Sequence, residues 1–232
     1  MNTFGDRFRL MLPPERAQAA RVLILGCGGI GSYTGSLLAR MGVGSFLLID
    51  NDNVEDANVG TQDFTALDIG RPKVDALRDR ITSLNRGAKV VTHAARIETA
   101  KALGALVKAG DQVTVAVAAV DNIEARRTLW AWFKKSFQST FIDPRMGAEA
   151  FEMHVLTPGC MYQQEYEPFL KDENYAEEPC GATAIAYTGA FAGSMVASTA
   201  RQAIMGTVRH GCVYADTGAF VAKNTFAKRA RA

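Results

Sequence analysis

Between residues 21 and 73 the chain runs from an apolar stretch through a glycine turn and an amphipathic stretch to a second apolar stretch ending in a carboxylate. No other feature constrains the fold as much. Val22-Leu23-Ile24-Leu25 has the length and aliphatic character of a buried strand. Gly26-Cys27-Gly28-Gly29-Ile30-Gly31 follows directly, and residues 32–41 carry helical periodicity. In that setting the glycines divide three tasks. One makes a tight turn, one lets backbone approach a phosphate, and one lets the helix pack closely on the strand. The helix start then offers free N–H groups and the positive end of its dipole to an anion. A second apolar strand, 46–49, ends in Asp50. A carboxylate about 20 residues beyond such a turn accepts from ribose hydroxyls. The pattern predicts a nucleotide site.

The segment after Asp50 indicates which nucleotide. Residues 50–64 form a long polar loop dense in carboxylates and amides, including Asp52, Asn58 and Gln62. It leads to Gly70-Arg71-Pro72-Lys73-Val74, where Pro72 suits the first turn of a helix running to about residue 84. Lys73 then stands at that helix start, facing the crevice of the glycine turn. A nicotinamide oxidoreductase has no use for this lysine. An enzyme that holds a triphosphate and expels pyrophosphate does.

Four motifs in order resemble one family. They are Gly-x-Gly-Gly-x-Gly (Gly26, Gly28, Gly29, Gly31), Asp-x-Asp-x-Val-x-x-x-Asn (Asp50, Asp52, Val54, Asn58), Gly-x-Pro-Lys-Val at 70–74, and Asp-Asn-x-x-x-Arg (Asp121, Asn122, Arg126). This series is similar to the ThiF/MoeB/HesA group, bacterial relatives of ubiquitin-activating enzymes, from about residue 21 to 145 and more loosely to about 206. The resemblance implies ATP- and Mg2+-dependent adenylation of a carboxylate, usually the C-terminal Gly-Gly of a ubiquitin-like or sulfur-carrier protein. It places Asp121 at the metal and Asn58 and Lys73 at the phosphates. Family members normally carry an arginine directly before the glutamine of the loop, and here that position is Thr61. That arginine reaches the phosphates in the family. Turnover therefore depends on another cation, such as Arg71, although a guanidinium fork is not easily relocated. A non-catalytic subunit that binds without turnover is the alternative reading; a nicotinamide oxidoreductase is a weaker one.

The remaining chain predicts an α/β fold: a Rossmann-like, largely parallel sheet with helices on both faces, extended by antiparallel strands toward the C-terminus. Strands are expected at 89–93, 113–120 and 140–142, with helices at 98–108 and 124–137. Asp121 lies at the carboxyl end of a strand, where open parallel sheets bind ligands; it or Asn122 also suits a helix N-cap. Arg145 either reaches a substrate carboxylate or pairs with Asp143 or Glu149. Residues 151–156 are expected to add a strand that makes the sheet mixed. A helix at 182–205, rich in Gly, Ala, Ser and Thr, suits a close helix–helix or subunit contact. Residues 212–221 are expected to form one further strand. The domain division is an N-terminal arm at 1–20, a single adenylation domain at 21–222 and a basic tail at 223–232.

Composition fits a soluble enzyme domain: 232 residues, 48% hydrophobic, 22% charged, formal net charge +2. The near-neutral balance argues against a nucleic-acid surface. No apolar run approaches the roughly 20 residues that cross a bilayer, and the N-terminal residues lack a secretory core, so a cytoplasmic setting is expected. The cysteines, Cys27, Cys160, Cys180 and Cys212, include no Cys-x-x-Cys pair. Some relatives hold a structural zinc on two such pairs, so no zinc is expected here. Cys27 reads as packing. Cys180 precedes the long helix, where the dipole favours a thiolate suited to a thioester. The acidic stretch before it opposes that charge, and a packing or capping role is the equal alternative. Arg7 and Arg9 resemble a shortened family arm, implying a homodimer in which one of them, here assigned to Arg9, completes the partner's site in trans.

Overall fold

The computed structural model describes residues 7–107, 112–135, 139–171 and 185–225. Eight strands form one sheet: β1 (Arg21–Leu25), β2 (Ser45–Ile49), β3 (Lys89–His93), β4 (Val115–Ala118), β5 (Thr140–Gly147), β6 (Ala150–Leu156), β7 (Gly211–Asp216) and β8 (Val221–Asn224). Their order is β3-β2-β1-β4-β5-β6-β7-β8. The first five run parallel and the last three join antiparallel. Four of the five residues of β1 and of β2 are buried, as continuous aliphatic runs are when helices cover both faces of a sheet.

Helices α1 (Pro14–Ala19), α2 (Gly29–Arg40), α3 (Asp56–Val59), α4 (Lys73–Leu84), α5 (Ala100–Leu106), α6 (Ile123–Phe133), α7 (Tyr162–Tyr166) and α8 (Ala186–Ile204) surround it. Alternation along β1 sorts the core into two layers. Val22 and Ile24 pack with residues of α2, α4 and α8, whereas Leu23 and Leu25 pack with residues of α5, α6 and α7. Each fully buried side chain of this kind, such as Phe46 at 0% exposure, contributes about 1.5–3 kcal/mol of transfer free energy. The small-residue face of α8 lies against α2. A Cβ on Gly193 would stand 2.6 Å from Tyr33 Cβ, and one on Gly189 would stand 3.0 Å from Gly29 O.

Two expectations are corrected. Strand β5 does not stop at residue 142 but runs on to Gly147. Only Thr140–Ile142 pair with β4, so Pro144 lies where β5 has a single neighbour and a missing N–H is tolerated. Residues 212–221 are not one strand: β7 and β8 form a hairpin. Asp216 Oδ1 accepts from Ala219 N at 2.8 Å, an aspartate-driven turn that interrupts the run. The segment before β1 carries α1, with Leu12, Ala17 and Ala20 buried. Arg201 Nη1 donates to Met11 O at 3.1 Å, which ties this segment to α8. Among the described residues, no helix is long and apolar enough to cross a membrane.

Candidate functional site

The strand order reverses between β1 and β4: from β1 it proceeds to β2 and β3, from β4 to β5. The crevice beyond the carboxyl ends at such a reversal is the ligand position of open α/β sheets. Gly26 lies on its floor. Its φ is +91°, and a Cβ there would stand 2.2 Å from Ala119 O, just past β4. Only glycine permits both the turn and the approach. α2 begins at Gly29, in the first turn with Ile30 and Gly31; Gly28 is its N-cap, and no side chain caps it. Its leading N–H groups are thus open to an anion. Ser32 Oγ donates to Gly28 O at 2.7 Å and accepts from Asp63 N at 3.0 Å, stapling the polar loop to this helix start.

Asp50 closes the turn from the side of β2. Its Oδ2 accepts from Cys27 N at 2.6 Å and its Oδ1 from Asp52 N at 2.8 Å. Burial raises its pKa above the ordinary aspartate value, against the pull of those two N–H groups and of Lys73. The Cys27 thiol is fully buried, and burial together with Asp50 pushes it well up, which suits packing and not reactivity.

Residues 52–54 pair with 70–73. Val54 N donates to Arg71 O and Gly70 N to Val54 O, each at 2.8 Å, and Asn53 bridges Pro72. This pairing fixes Lys73 at the start of α4, where its N donates to Asp52 O at 2.9 Å and its Nζ meets Asp52 Oδ2 at 3.0 Å. The lysine side chain is 10% exposed and the aspartate 57%, so a buried cation points toward an open carboxylate. Gln62 packs about the glycine turn, its Nε2 lying 3.8 Å from the position a Gly28 Cβ would take. Its Oε1 is buried without a hydrogen-bond partner. Asn58 Oδ1 accepts from Glu55 N at 2.9 Å, one half of the capping box that Glu55 and Asn58 form at the start of the short α3.

Across the crevice, Asn122 caps α6, its Oδ1 accepting from Ala125 N at 2.8 Å; its Nδ2 donates to Asp121 Oδ1 at 3.3 Å. Of the two capping candidates, the structure uses Asn122, leaving Asp121 exposed on the loop after β4. Arg126 was visible in sequence only as part of a motif. It is 4% exposed and donates to Ala118 O at 3.1 Å, Pro144 O at 3.2 Å and Val120 O, while pairing with the fully buried Asp143. It pins the strand end that presents Asp121.

Other sequence candidates lie elsewhere. Arg71 is engaged by Asp68 and Asp79. Arg145 donates to Asp143 Oδ2 from Nε and Nη2, at 3.1 and 2.8 Å, the structural pairing of its two expected roles. Arg9 is exposed on the turn before α1. Cys180 lies outside the described residues.

An uncapped helix start, a carboxylate at the end of β2, a buried lysine and an orphaned amide oxygen beside the glycine turn suit a nucleotide with its phosphates on α2. Asp121 lies exposed on the loop after β4. The fold and crevice thus define an α/β protein with a Rossmann-like nucleotide turn and an antiparallel extension. The chain belongs to the ThiF family, whose model matches residues 8–217. It is similar to ubiquitin-like modifier-activating enzyme 5 of Drosophila pseudoobscura pseudoobscura, at 34% identity over 132 residues, covering 53% of this chain and 33% of that protein. The Aedes aegypti protein of that name matches at 32% identity over 132 residues, with 53% and 33% covered. The chain therefore spans about a third of the length of these curated relatives. Among solved structures it resembles E. coli MccB with ATP (TM-score 0.74, 20% identity, 97% of this chain and 71% of that chain). It also resembles PaaA (TM-score 0.75, 20% identity, 97% and 70% covered). At that identity these two likenesses establish the fold.

Proposed function

We propose that this chain is an ATP-dependent adenylyltransferase that activates the C-terminal carboxylate of a small protein or peptide, most simply a ubiquitin-like or sulfur-carrier protein ending in Gly-Gly. One observation carries the reading: Lys73, Asp50 and the uncapped start of α2 converge at the strand-order reversal. In this reading the phosphates of ATP–Mg2+ lie over Gly26, Gly28, Gly29 and Gly31, with Gln62, Asn58 and Lys73 beside them. Asp50 takes the ribose, Asp52 releases Lys73 as the phosphates arrive, and Asp121, flanked by Asn122, holds Mg2+. A carboxylate oxygen of the partner attacks the α-phosphorus, the bond from that phosphorus to the β-phosphate oxygen breaks, and pyrophosphate departs with its electron pair. The site's task is positioning and charge stabilisation. Family membership and the likeness to modifier-activating enzymes support this assignment.

Two extensions belong to it. Arg9, exposed before α1, supplies to a partner protomer's site the positive charge that Thr61 does not, making the working form a cytoplasmic homodimer. In a second step the Cys180 thiolate attacks the acyl carbonyl of the adenylate, the bond from that carbon to the AMP oxygen breaks, and AMP departs as the thioester forms. The test is calorimetry of ATP–Mg2+, NAD and NADP on the intact protein and on Asp121→Ala, with pyrophosphate exchange in the presence of Gly-Gly-ended carriers. Selective ATP binding weakened by Asp121→Ala, with carrier-dependent exchange, supports the reading. Binding of NAD without response to ATP overturns it.

A second reading is favoured by one finding, the engagement of Arg71 by Asp68 and Asp79. With Thr61 in place of the family arginine, the chain then binds nucleotide as a non-catalytic partner subunit. ATP binding without exchange, even with the true carrier, selects this reading.

A further inference from the structure

On the extended side of the sheet, three side chains unrelated in sequence come together. Glu152 and His154 are two residues apart on β6 and so project from the same face. The β6–β7 register sets His154 opposite Cys212. One ligand atom from each, a carboxylate oxygen, an imidazole nitrogen and a sulfur, lies within 4.8 Å of the others. His154 Nε2 is 3.2 Å from Glu152 Oε1, and Cys212 Sγ is 3.6 Å from the same oxygen. Around a tetrahedral zinc with bonds of about 2.0–2.3 Å, neighbouring ligand atoms stand about 3.3–3.6 Å apart. The two pairs that include Glu152 are already at nearly that separation, and the third closes within 4.8 Å.

A second observation points the same way. His154 is fully buried, and its Nε2 faces Glu152 Oε1 at 3.2 Å without hydrogen-bond geometry. Its other nitrogen, Nδ1, is 2.7 Å from the Tyr162 hydroxyl. A hydrogen-bonded Nδ1 that fixes the ring and aims Nε2 toward further ligand atoms is the outer-shell arrangement of histidine metal ligands. The charges balance as well. One carboxylate, one thiolate and a neutral imidazole sum to minus two, and Arg145 is held on Asp143. Glu152, with its side chain 33% exposed, leaves a route from solvent.

We propose that Glu152, His154 and Cys212 form a three-ligand zinc site whose fourth position is open to water or another donor. Thiolate with imidazole selects zinc over magnesium or calcium. The site packs on the α6–α7 side of the sheet, where Tyr162 lies within the core, and is independent of the proposed adenylation. It revises the expectation of no zinc, which rested on the absence of paired cysteines.

The test uses the intact protein, freed of metal with a chelator and titrated with cobalt(II) in the absence of nucleotide. One equivalent bound with a tetrahedral spectrum and a thiolate-to-cobalt charge-transfer band, both displaced by zinc, is the expected result. Cys212→Ser should abolish the charge-transfer band, and Glu152→Gln should weaken affinity tenfold or more, with unchanged circular dichroism certifying the fold of each. Failure to bind, an octahedral spectrum, a band that persists in Cys212→Ser, or undiminished affinity in Glu152→Gln overturns the proposal.

Discussion

Lys73 and Asp52 hold each other at 3.0 Å across 21 residues of chain, and the same two residues are joined through their backbones at 2.9 Å. The backbone bond belongs to the pairing of residues 52–54 with 70–73, so the lysine is placed before any ligand arrives. Its ammonium is available to a phosphate once the carboxylate yields it.

Lys73→Ala should therefore remove most of the carrier-dependent pyrophosphate exchange, by about 100- to 1,000-fold, the scale of losing one preorganised charge donor. The Lys73 side chain is itself buried, so the substitution should also lower the unfolding free energy by about 0.5–3 kcal/mol, an ordinary single-residue loss. Exchange kinetics and urea denaturation on the same preparation separate the two effects. A large loss of stability with activity preserved per folded molecule would falsify the phosphate role.

Thr61→Arg should tighten ATP–Mg2+ binding or speed exchange by about tenfold, the equivalent of one charge-assisted hydrogen bond of about 1.5 kcal/mol. Thr61 is partly exposed, and its hydroxyl only back-bonds to Ala57 O at 3.5 Å. Titration calorimetry of both proteins checks this. An unchanged affinity and rate would show that the position no longer faces the phosphates.

The raised pKa of Asp50 gives a signed pH dependence. With its folded-state value above its unfolded one, this group's contribution to stability is fully present below the unfolded value and is lost as pH rises through the folded value. Nucleotide binding runs the other way, because ribose hydroxyls donate to the ionised carboxylate. The affinity advantage of wild type over Asp50→Asn should shrink as pH falls through the raised value. Affinities for both proteins at several acidic pH values measure it; a gap that stays constant contradicts the ribose assignment.

Arg126→Ala should be the most destabilising of these changes, by about 3 kcal/mol, because the fully buried Asp143 then keeps only Arg145 as a cation and three backbone carbonyls lose their donor. Arg145 and the Tyr166 hydroxyl, at 2.8 Å each from Asp143 Oδ2, do not replace the three backbone carbonyl contacts made by Arg126. Chemical denaturation reads the effect directly. A loss below about 1 kcal/mol would mean that Asp143 is satisfied without it.

The legible parts of the molecule were those specified within one strand–turn–helix unit. Gly26, Asp50, Lys73 and Asp121 each sit at the end of a strand or the start of a helix, and local pattern places such positions. Strand β3 occupies Lys89–His93, the residues expected for it. What depended on register or burial was not legible. Arg126 looked like one charged residue of a motif until the backbone of β4 and β5 closed around it. Asn58 could not be seen as the partner of Glu55 in the capping box of α3, since that helix has only four residues. The grouping of Glu152 with His154 follows from strand periodicity, but Cys212 lies 60 residues further on. Only the β6–β7 pairing brings it in.

The close seating of α8 on α2 has an architectural consequence. Gly193 and Gly189 touch Tyr33 and Gly29, so the phosphate-facing end of α2 is backed by a helix encoded more than 150 residues later. The nucleotide turn is not a portable cassette. A graft of residues 21–84 into another sheet would carry every motif of the first βαβα unit and lose the wall behind it. Bulk added at position 193 would press on the same helix that greets the phosphates, letting the far end of the chain tune how firmly they are held.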